Sequence, residues 1–348
     1  MHMRCQSKEY YLMKNFLSLR AILTSRWFAS AIVISLAMPM VAFSQGALAP
    51  SGPPGPTFKT LSQVEPRIPI SSLPYDISAP GSYYVTSNLT GVSSAYGIRI
   101  NSSDVTLDLS GFTLTGVPGA FYGIATPSGL TNIVIRNGTV RGWGFVGVDT
   151  TANYNAVVEN VVSTHNAGGF TLGADSSIRN CKAMYNVNVG ISVDDRGSVK
   201  DCVSERNGLT GIRAGMFSSA TGCLVVSNSS GGIIVLDSSS VTDCEVYATS
   251  GSDAIQISYQ CRAERNHCAR NTGAGIHATL TYNRIDSNHL IGNNRGIKVD
   301  FCNNVIVRNS AGANTVDYDL TVGCNTFGPI VYNANVATNS NPHANYVP

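Results

Sequence analysis

Charged side chains are scarce in this sequence, and clusters of basic residues are missing beyond its first segment. Asp, Glu, Lys and Arg make up 13% of the 348 residues, about half of the share that is usual in soluble domains. Residues 1–44 hold five of the 23 basic side chains and one of the 21 acidic ones, so the rest of the chain is slightly acidic. This balance argues against a nucleic-acid partner, which would need a basic surface.

Helical periodicity is also missing. The sequence is 43% hydrophobic and contains 34 glycines, a composition that excludes a charged disordered tail. Its apolar residues do not follow the 3.6-residue period of a helix. Short runs of β-branched residues instead alternate with Asn, Asp, Gly and Ser. This pattern predicts short strands separated by tight bends, and therefore an all-β fold.

An uncharged apolar segment lies near the start of the chain. It runs over residues 27–43, follows Arg20 and Arg26, and ends in the small residues that signal peptidases accept. We therefore expect residues 1–44 to be a secretory signal peptide, with an uncleaved membrane anchor as the alternative. The mature chain would then be secreted, extracellular or periplasmic, with no stable insertion in a membrane.

A repeat of 21 residues dominates the middle of the chain. It is marked by four evenly spaced cysteines: Cys181, Cys202, Cys223 and Cys244. An Asn, Asp or Gly precedes each cysteine, and three of the cysteines are followed by an Asn and then by a Gly-Ile pair at fixed distances. A repeat of this length is typical of a solenoid, in which each repeat forms one coil.

Each coil is predicted to contain three short strands. The Asn, Asp or Gly before the cysteine provides a bend in the left-handed backbone region, which these residues tolerate best. Neighbouring coils would pair in parallel about 4.8 Å apart, so asparagine side chains of successive coils could bond to one another. About 11 coils of about 21 residues fit into the chain.

The repeat Ser-x-Val-x-Asp-Cys, followed by Asn and Gly-Ile, resembles those of right-handed parallel β-helix proteins in the pectate-lyase-like superfamily. The segments 73–85, 105–112 and 135–140 are similar to a large group of secreted bacterial β-helix proteins of unassigned activity. The resemblance implies an all-β, right-handed parallel β-helix. It implies no single activity, because the superfamily includes lyases, hydrolases, epimerases, adhesins and inert spikes.

One domain accounts for the chain after its first segment. Residues 45–70 begin with a Pro/Gly-rich stretch and are predicted to be a linker, and residues 71–348 are predicted to form the β-helix. The two ends of a solenoid expose strand edges, so they need covers. We expect residues 71–90 to cover the first coil and residues 326–348 to cover the last.

Stacked coils would place equivalent outward residues in one column along the solenoid. The residue after each Ile of the Gly-Ile pair, or after its equivalent, defines this column: Arg99, Ala125, Asp149, Thr171, Ser192, Arg213, Ile234, Gln256, His277, Lys298 and Asp319. Two residues further along lie Asp194 and Asp300. The ionisable side chains of His277, Lys298 and Asp319 fall on three successive coils, so we expect them within about 5–10 Å of one another.

These residues include the groups that β-elimination on a uronate-containing polysaccharide requires. His277 or Lys298 could act as the base. Lys298 or Arg213 could bind the uronate carboxylate, and Tyr259 could act as the acid. Gln256 would flank these side chains from the neighbouring coil.

The aspartates leave several roles open. Asp300 and Asp319 could tune Lys298, hold a hydrated Ca²⁺ ion, or act as the two acids of a glycoside hydrolase. Alternatively, Lys298 between two aspartates is a solvated ion pair of little energetic value. Asp194, a candidate substrate-binding residue, begins an Asp-Asp-Arg sequence that resembles one motif of polygalacturonases, although the companion motifs are absent. The alternative is a turn with an ion pair between Asp195 and Arg196.

The sequence thus favours a protein that binds an acidic polysaccharide or cleaves it in a lyase-like β-elimination. The alternative is a non-catalytic extracellular or cell-surface protein with a structural or glycan-binding role. Whether the chain is an enzyme, which glycan it meets, whether it needs a metal and how it oligomerises stay open at this point.

Eight cysteines follow residue 44, and their spacing does not match that of zinc ligands. Stacked cysteines of the repeat would point in the same direction, which favours free buried thiols over disulfides. Cys302 and Cys324 lie about one coil apart near the end of the solenoid and are the favoured disulfide pair.

Overall fold

Short parallel strands, numbered β1–β36 along the chain, build this molecule. The computed structural model describes residues 65–320 and 323–348, apart from the side chains of residues 336 and 337. The expected signal peptide and most of the expected linker lie outside the described residues. Within the described part, the strands form two sheets, and one 3-10 helix occurs at Asn333–Thr338.

The smaller sheet contains twelve strands, one from each coil. Each strand pairs in parallel with the equivalent strand of the next coil. The strands are β2 (Tyr75–Ile77), β5 (Ile98–Ile100), β8 (Ile124–Ala125), β10 (Val146–Thr150), β12 (Gly168–Leu172), β15 (Ile191–Val193), β18 (Ile212–Ala214), β21 (Ile233–Val235), β24 (Ile255–Ile257), β27 (Ala274–Ala278), β30 (Arg295–Val299) and β33 (Val316–Leu320). The solenoid therefore has twelve coils, close to the predicted number.

The larger sheet has 24 strands, and most coils contribute two of them. In the coils of β8 and β10, one long strand, β9 or β11, takes the place of both. Its strands are β1 (Ile68–Ile70), β3 (Gly81–Val85), β4 (Leu89–Thr90), β6 (Val105–Asp108), β7 (Thr113–Thr115), β9 (Thr131–Arg141), β11 (Tyr154–Thr164), β13 (Ser177–Arg179), β14 (Lys182–Met184), β16 (Ser198–Lys200), β17 (Val203–Glu205), β19 (Ser219–Thr221), β20 (Leu224–Val226), β22 (Ser240–Thr242), β23 (Glu245–Tyr247), β25 (Arg262–Glu264), β26 (His267–Ala269), β28 (Arg284–Asp286), β29 (His289–Ile291), β31 (Val305–Val307), β32 (Ser310–Gly312), β34 (Thr326–Phe327), β35 (Ile330–Tyr332) and β36 (Asn345–Val347). Together with the smaller sheet, this gives the predicted three strands in most coils.

The cysteines of the repeat lie in a single file, as predicted. The strands on both sides of them pair in register from coil to coil, and the backbone N–H of Cys223 lies 3.5 Å from Sγ of Cys244. The residues before the four cysteines have the predicted positive φ angles, between 51° and 65°: Asn180, Asp201, Gly222 and Asp243. The bend chemistry of the sequence therefore sets where each coil turns.

Buried asparagines form ladders between coils, which the sequence also predicted. The side-chain Nδ2 of Asn186 donates to Oδ1 of Asn207 at 2.9 Å, and Asn207 donates in the same way to Asn228 at 2.9 Å. Each of these side chains also accepts a backbone N–H of the preceding coil. The polar groups of the bends are therefore satisfied inside the solenoid.

The first coil begins within the expected linker. β1 pairs with β3, and β2, β3 and β4 pair with strands of the following coil. Residues 71–90, for which we expected a covering role, are therefore themselves a coil of the solenoid.

The C-terminal segment returns to the last coil. Oδ1 of Asn345 on β36 accepts a bond from Nδ2 of Asn309 at 3.1 Å, which extends an asparagine ladder. The backbone N–H of Tyr346 donates to the carbonyl of Asn309, and Oη of Tyr318 donates to the carbonyl of Tyr346. These bonds use groups that the end of the solenoid would otherwise expose.

The cysteines follow the predicted division. Cys302 and Cys324 form a disulfide. Six other cysteines are free and buried: Cys181, Cys202, Cys223, Cys244, Cys261 and Cys268. Burial raises the pKa of the Cys181 thiol to about 12, which keeps it protonated.

In the described residues, no helix has the length and apolar character to cross a bilayer.

Candidate functional site

The predicted outward column runs along the twelve-stranded sheet. Each of its eleven residues pairs in Cα register with its neighbour on the next coil. Asp76 on β2 extends the column by one coil at its start. His277, Lys298 and Asp319 therefore lie on successive strands, as the repeat predicted.

Four ionisable side chains near the C-terminal end of the column form one hydrogen-bonded group. Nδ1 of His277 lies 2.7 Å from Oδ2 of Asp253, and its Nε2 lies 2.8 Å from Oδ2 of Asp300. Nζ of Lys298 lies 3.2 Å from the same Nε2 and 3.0 Å from Oδ1 of Asp300. We call Asp253, His277, Lys298 and Asp300 the His277 cluster.

Local structure holds the imidazole in place. His277 is only 9% exposed, although it occupies an outward position of β27. Asp253 lies in the turn before β24, and its Oδ1 accepts the backbone N–H of Ala274 at the start of β27, at 2.7 Å. One carboxylate therefore fixes both the start of a strand and the ring that this strand carries.

The opposite charges of the His277 cluster stabilise one another. Burial alone would lower the pKa of His277, but its hydrogen bonds to Asp253 and Asp300 outweigh burial and raise this pKa above 6.5. Burial would raise the pKa of the two carboxyl groups, yet their bonds to His277 hold the pKa of both below the usual 3.8. The cluster therefore favours an imidazolium between two carboxylates.

Asp319 has a different partner from the one expected. We expected Lys298 to lie between Asp300 and Asp319, but Oδ2 of Asp319 lies 2.6 Å from Nε of Arg295. Arg295 starts β30 and reaches the outer surface three residues before Lys298. Asp300 faces His277 and Lys298, whose hydrogen bonds lower the pKa of its carboxyl group, and this makes Asp300 a poor candidate for the acid of a hydrolase.

The aspartates also do not fit a Ca²⁺ ion. Calcium takes about six to eight oxygen ligands, whereas the oxygens of Asp300 already bond to His277 and Lys298, and Asp319 bonds to Arg295. Among the residues that the structure describes, no three His, Cys, Asp or Glu side chains are arranged to hold a metal ion.

A shallow groove of about 180 Å³ lies further along the column. Thr171, Ser192, Asp194, Arg213 and Leu236 contribute to its walls. Arg213 is exposed and forms no ion pair with any residue in the described part of the chain. The groove thus brings together two predicted binding residues, Asp194 and Arg213, with a guanidinium that is free to meet an anion.

The remaining predicted residues lie near the cluster without joining it. Gln256 pairs in register with His277 on the adjacent strand. Tyr259 lies in the turn after β24, and its ring packs edge-on against Tyr282, with centroids 5.8 Å apart. Its role as the acid stays a prediction.

Sequence reasoning missed Asp253 and Arg295. A signal for Asp253 exists: in its coil the usual Gly-Ile pair becomes Ala254-Ile255, and β24 follows β21 after 22 residues instead of 21. The turn that holds Asp253 therefore contains an extra residue. Arg295 comes directly before a Gly-Ile pair, where the repeat predicts no particular side chain.

Comparisons with known proteins agree on the fold. A family model described as "Right handed beta helix region" matches residues 81–248, whereas no curated protein matches the sequence. The A-module of mannuronan C-5 epimerase AlgE6 from Azotobacter vinelandii has a TM-score of 0.59 at 13% identity, over 80% of this chain and 88% of that chain. The Dettilon tailspike protein gp208 has a TM-score of 0.54 at 12% identity, over 81% of this chain and 60% of that chain.

A second epimerase module is also similar. The A-module of AlgE4 from the same bacterium has a TM-score of 0.53 at 15% identity, over 68% of this chain and 89% of that chain. At such low identities these similarities concern the path of the backbone, and function has to be argued from the site.

Proposed function

We propose that this right-handed parallel β-helix repeat protein binds an acidic polysaccharide along the outward column and cleaves it by β-elimination at the His277 cluster. The fold itself agrees with the sequence prediction, the coil geometry and the family match. The observation that carries the proposal is the imidazole of His277, which is bonded on both nitrogens and lies beside the ammonium of Lys298.

In this proposal, His277 is the base. At a pH above its raised pKa, His277 is neutral: Nδ1 keeps one proton, which Asp253 accepts, and Nε2 takes the proton from the carbon next to the uronate carboxyl group. The electrons of that C–H bond form a C=C bond as the bond to the glycosidic oxygen breaks, and this oxygen takes up a proton from solvent water. Asp300 then stabilises the new imidazolium, because it accepts the Nε2 proton.

Two cations would hold the carboxylates of the polymer. Lys298, next to Nε2 of His277, neutralises the carboxylate at the reacting sugar and so stabilises charge that develops there. Arg213 lies four coils from Lys298, or about 19 Å, and binds another carboxylate of the same polymer. The column thus recognises a repeated acid rather than a single sugar.

Export would bring the protein to such a polymer. The basic and apolar pattern of residues 20–44 supports a signal peptide. The Cys302–Cys324 disulfide supports an oxidising compartment, where such bonds persist. A secreted or periplasmic location is therefore part of this proposal.

The test is incubation of the wild-type chain with pectin, polygalacturonate, alginate and glycosaminoglycans. Unsaturated uronate, detected by its ultraviolet absorbance, should appear with at least one polymer. His277→Ala and Lys298→Ala should abolish it, whereas Lys200→Ala, an exposed lysine on β16, should not. No unsaturated product from any polymer, or full activity in both cluster variants, would contradict the proposed reaction.

A non-catalytic glycan-binding protein is the second candidate. The ion pairs within the His277 cluster favour this candidate, since every cation there already has a carboxylate partner within 3.0 Å. In that case the polysaccharide should bind without chemical change, and Arg213→Ala should weaken binding more than His277→Ala does.

A further inference from the structure

Apolar side chains, all exposed except the half-buried Tyr259, occur in the turns that follow four strands of the twelve-stranded sheet: β18, β24, β27 and β30. We call the following six residues the apolar ridge: Met216, Phe217, Tyr259, Leu280, Tyr282 and Phe301. Phe217, Tyr282 and Phe301 are 62%, 57% and 50% exposed. Single exposed apolar side chains are common, but a contiguous row of them is typical of an interaction surface.

The apolar ridge runs parallel to the outward column. Four of its members each lie three residues after a column residue, and the strands between them pair from coil to coil. The pairs are Arg213 with Met216, Gln256 with Tyr259, His277 with Leu280, and Lys298 with Phe301. On the coil of β21, between β18 and β24, Leu236 is exposed and also lines the groove beside Arg213.

The surface is therefore amphipathic along its length. One side carries the charged column, and the other side carries apolar side chains on four of five coils, with Asp237 at the equivalent position of the fifth and a step of about 4.8 Å per coil. A polymer of pyranose rings has the matching chemistry, because its ring faces are apolar while hydroxyl and carboxylate groups project from the ring edges. A folded protein partner would instead bury a broad, compact patch.

We propose that the apolar ridge binds the ring faces of consecutive sugars, so that an acidic polysaccharide lies parallel to the axis of the solenoid. This inference rests on the proposed glycan binding but not on the proposed cleavage. From the coil of Phe217 to that of Phe301 there are four coil steps, or about 19 Å. Affinity should therefore rise with oligosaccharide length until this span is filled.

The test measures the Kd of uronate oligosaccharides of increasing length by calorimetry. The double variant Tyr282→Ala/Phe301→Ala should bind long oligosaccharides about tenfold more weakly, with little change for a monosaccharide. Both residues are exposed, so the fold should be retained, which circular dichroism checks. Tyr154→Ala is the matched control, because Tyr154 is 52% exposed on the other sheet.

The salt dependence of binding distinguishes the contribution of the apolar ridge from that of the charged column. Raising ionic strength should reduce the effect of Lys298→Ala, since charges are screened, but not that of the ridge variant. If the ridge variant binds as tightly as wild type, or if Tyr154→Ala weakens binding as much as the ridge variant does, the proposed role of the apolar ridge is wrong. The proposed function would still stand in either case. A wild-type chain that binds none of the oligosaccharides would overturn both proposals.

Discussion

Nδ1 of His277 lies 2.7 Å from Oδ2 of Asp253, a residue 24 positions earlier in the chain. A carboxylate in the turn of one coil thus contacts an imidazole on the next coil. In the neutral imidazole, the carboxylate at Nδ1 and the ammonium of Lys298 at Nε2 favour the proton on Nδ1, so that Nε2 is the nitrogen that gains and loses a proton. This relationship separates the His277 cluster from an ordinary row of surface ion pairs.

The pKa of His277 should depend on Asp253. Asp253→Asn removes one of the two carboxylates that stabilise the imidazolium, so the pKa of His277 should fall from its raised value towards or below 6.5. NMR titration of the imidazole resonances measures this change. Asp243→Asn, which alters an exposed partner of Arg265, should leave the titration unchanged; an unchanged pKa in Asp253→Asn would contradict the assigned contact.

The shifted pKa values of the His277 cluster also predict a pH range in which the cluster stabilises the fold. The raised pKa of His277 contributes stability below its unfolded value, which is lost as pH rises through the folded pKa. The lowered pKa values of Asp253 and Asp300 contribute stability above their unfolded values, which is lost as pH falls through the folded ones. The free energy of unfolding of wild type should therefore exceed that of the Asp253→Asn/Asp300→Asn variant most between about pH 4 and 6.5. Denaturant titration at several pH values measures this difference.

Asn207 should be essential for the stacking of coils. Its Nδ2 donates to the carbonyl of Ala183 and to Oδ1 of Asn228, and its Oδ1 accepts from Asn186. Asn207→Ala leaves these buried groups without partners and should lower the free energy of unfolding by about 1–3 kcal/mol. Denaturant titration measures this loss. Asn188→Ala, at an exposed position one coil earlier, should change it by less than about 0.5 kcal/mol.

Mass spectrometry under non-reducing conditions should find one disulfide and six free thiols in the mature chain. The free cysteines are buried, and burial raises the pKa of Cys181, Cys202 and Cys268, so alkylation should require unfolding. Labelling of native and denatured protein with iodoacetamide checks this expectation. Disulfides within the Cys181–Cys244 file would contradict it.

Deletion of residues 326–348 should cause aggregation. The deletion removes Asn345 and Tyr346, which bond to Asn309, and so exposes the edge of β32. Size-exclusion chromatography measures the outcome, and the single change Asn345→Ala tests the ladder without removing the cover. A soluble, monomeric truncated chain would show that this segment does not protect the end of the solenoid.

The sequence predicted the coil better than the site. Bends like those at Asn180 and Asp201, and the ladder through Asn207, recur from coil to coil, so the sequence period alone predicts them. The outward column follows from the same period. The choice of partners does not: Asp319 bonds to Arg295, and Asp253 reaches His277 from a lengthened turn. Such contacts depend on departures from the repeat, and a prediction made from the repeat alone does not include them.

The most direct test of the account is release of unsaturated uronate from acidic polysaccharides by wild type and by His277→Ala, measured across pH. Wild type should be active, with a rate that rises as His277 loses its proton at a pH above 6.5, and His277→Ala should be inactive at every pH while binding the polymer. Equal rates for the two proteins, or no product from wild type on any polymer, would contradict β-elimination at the His277 cluster.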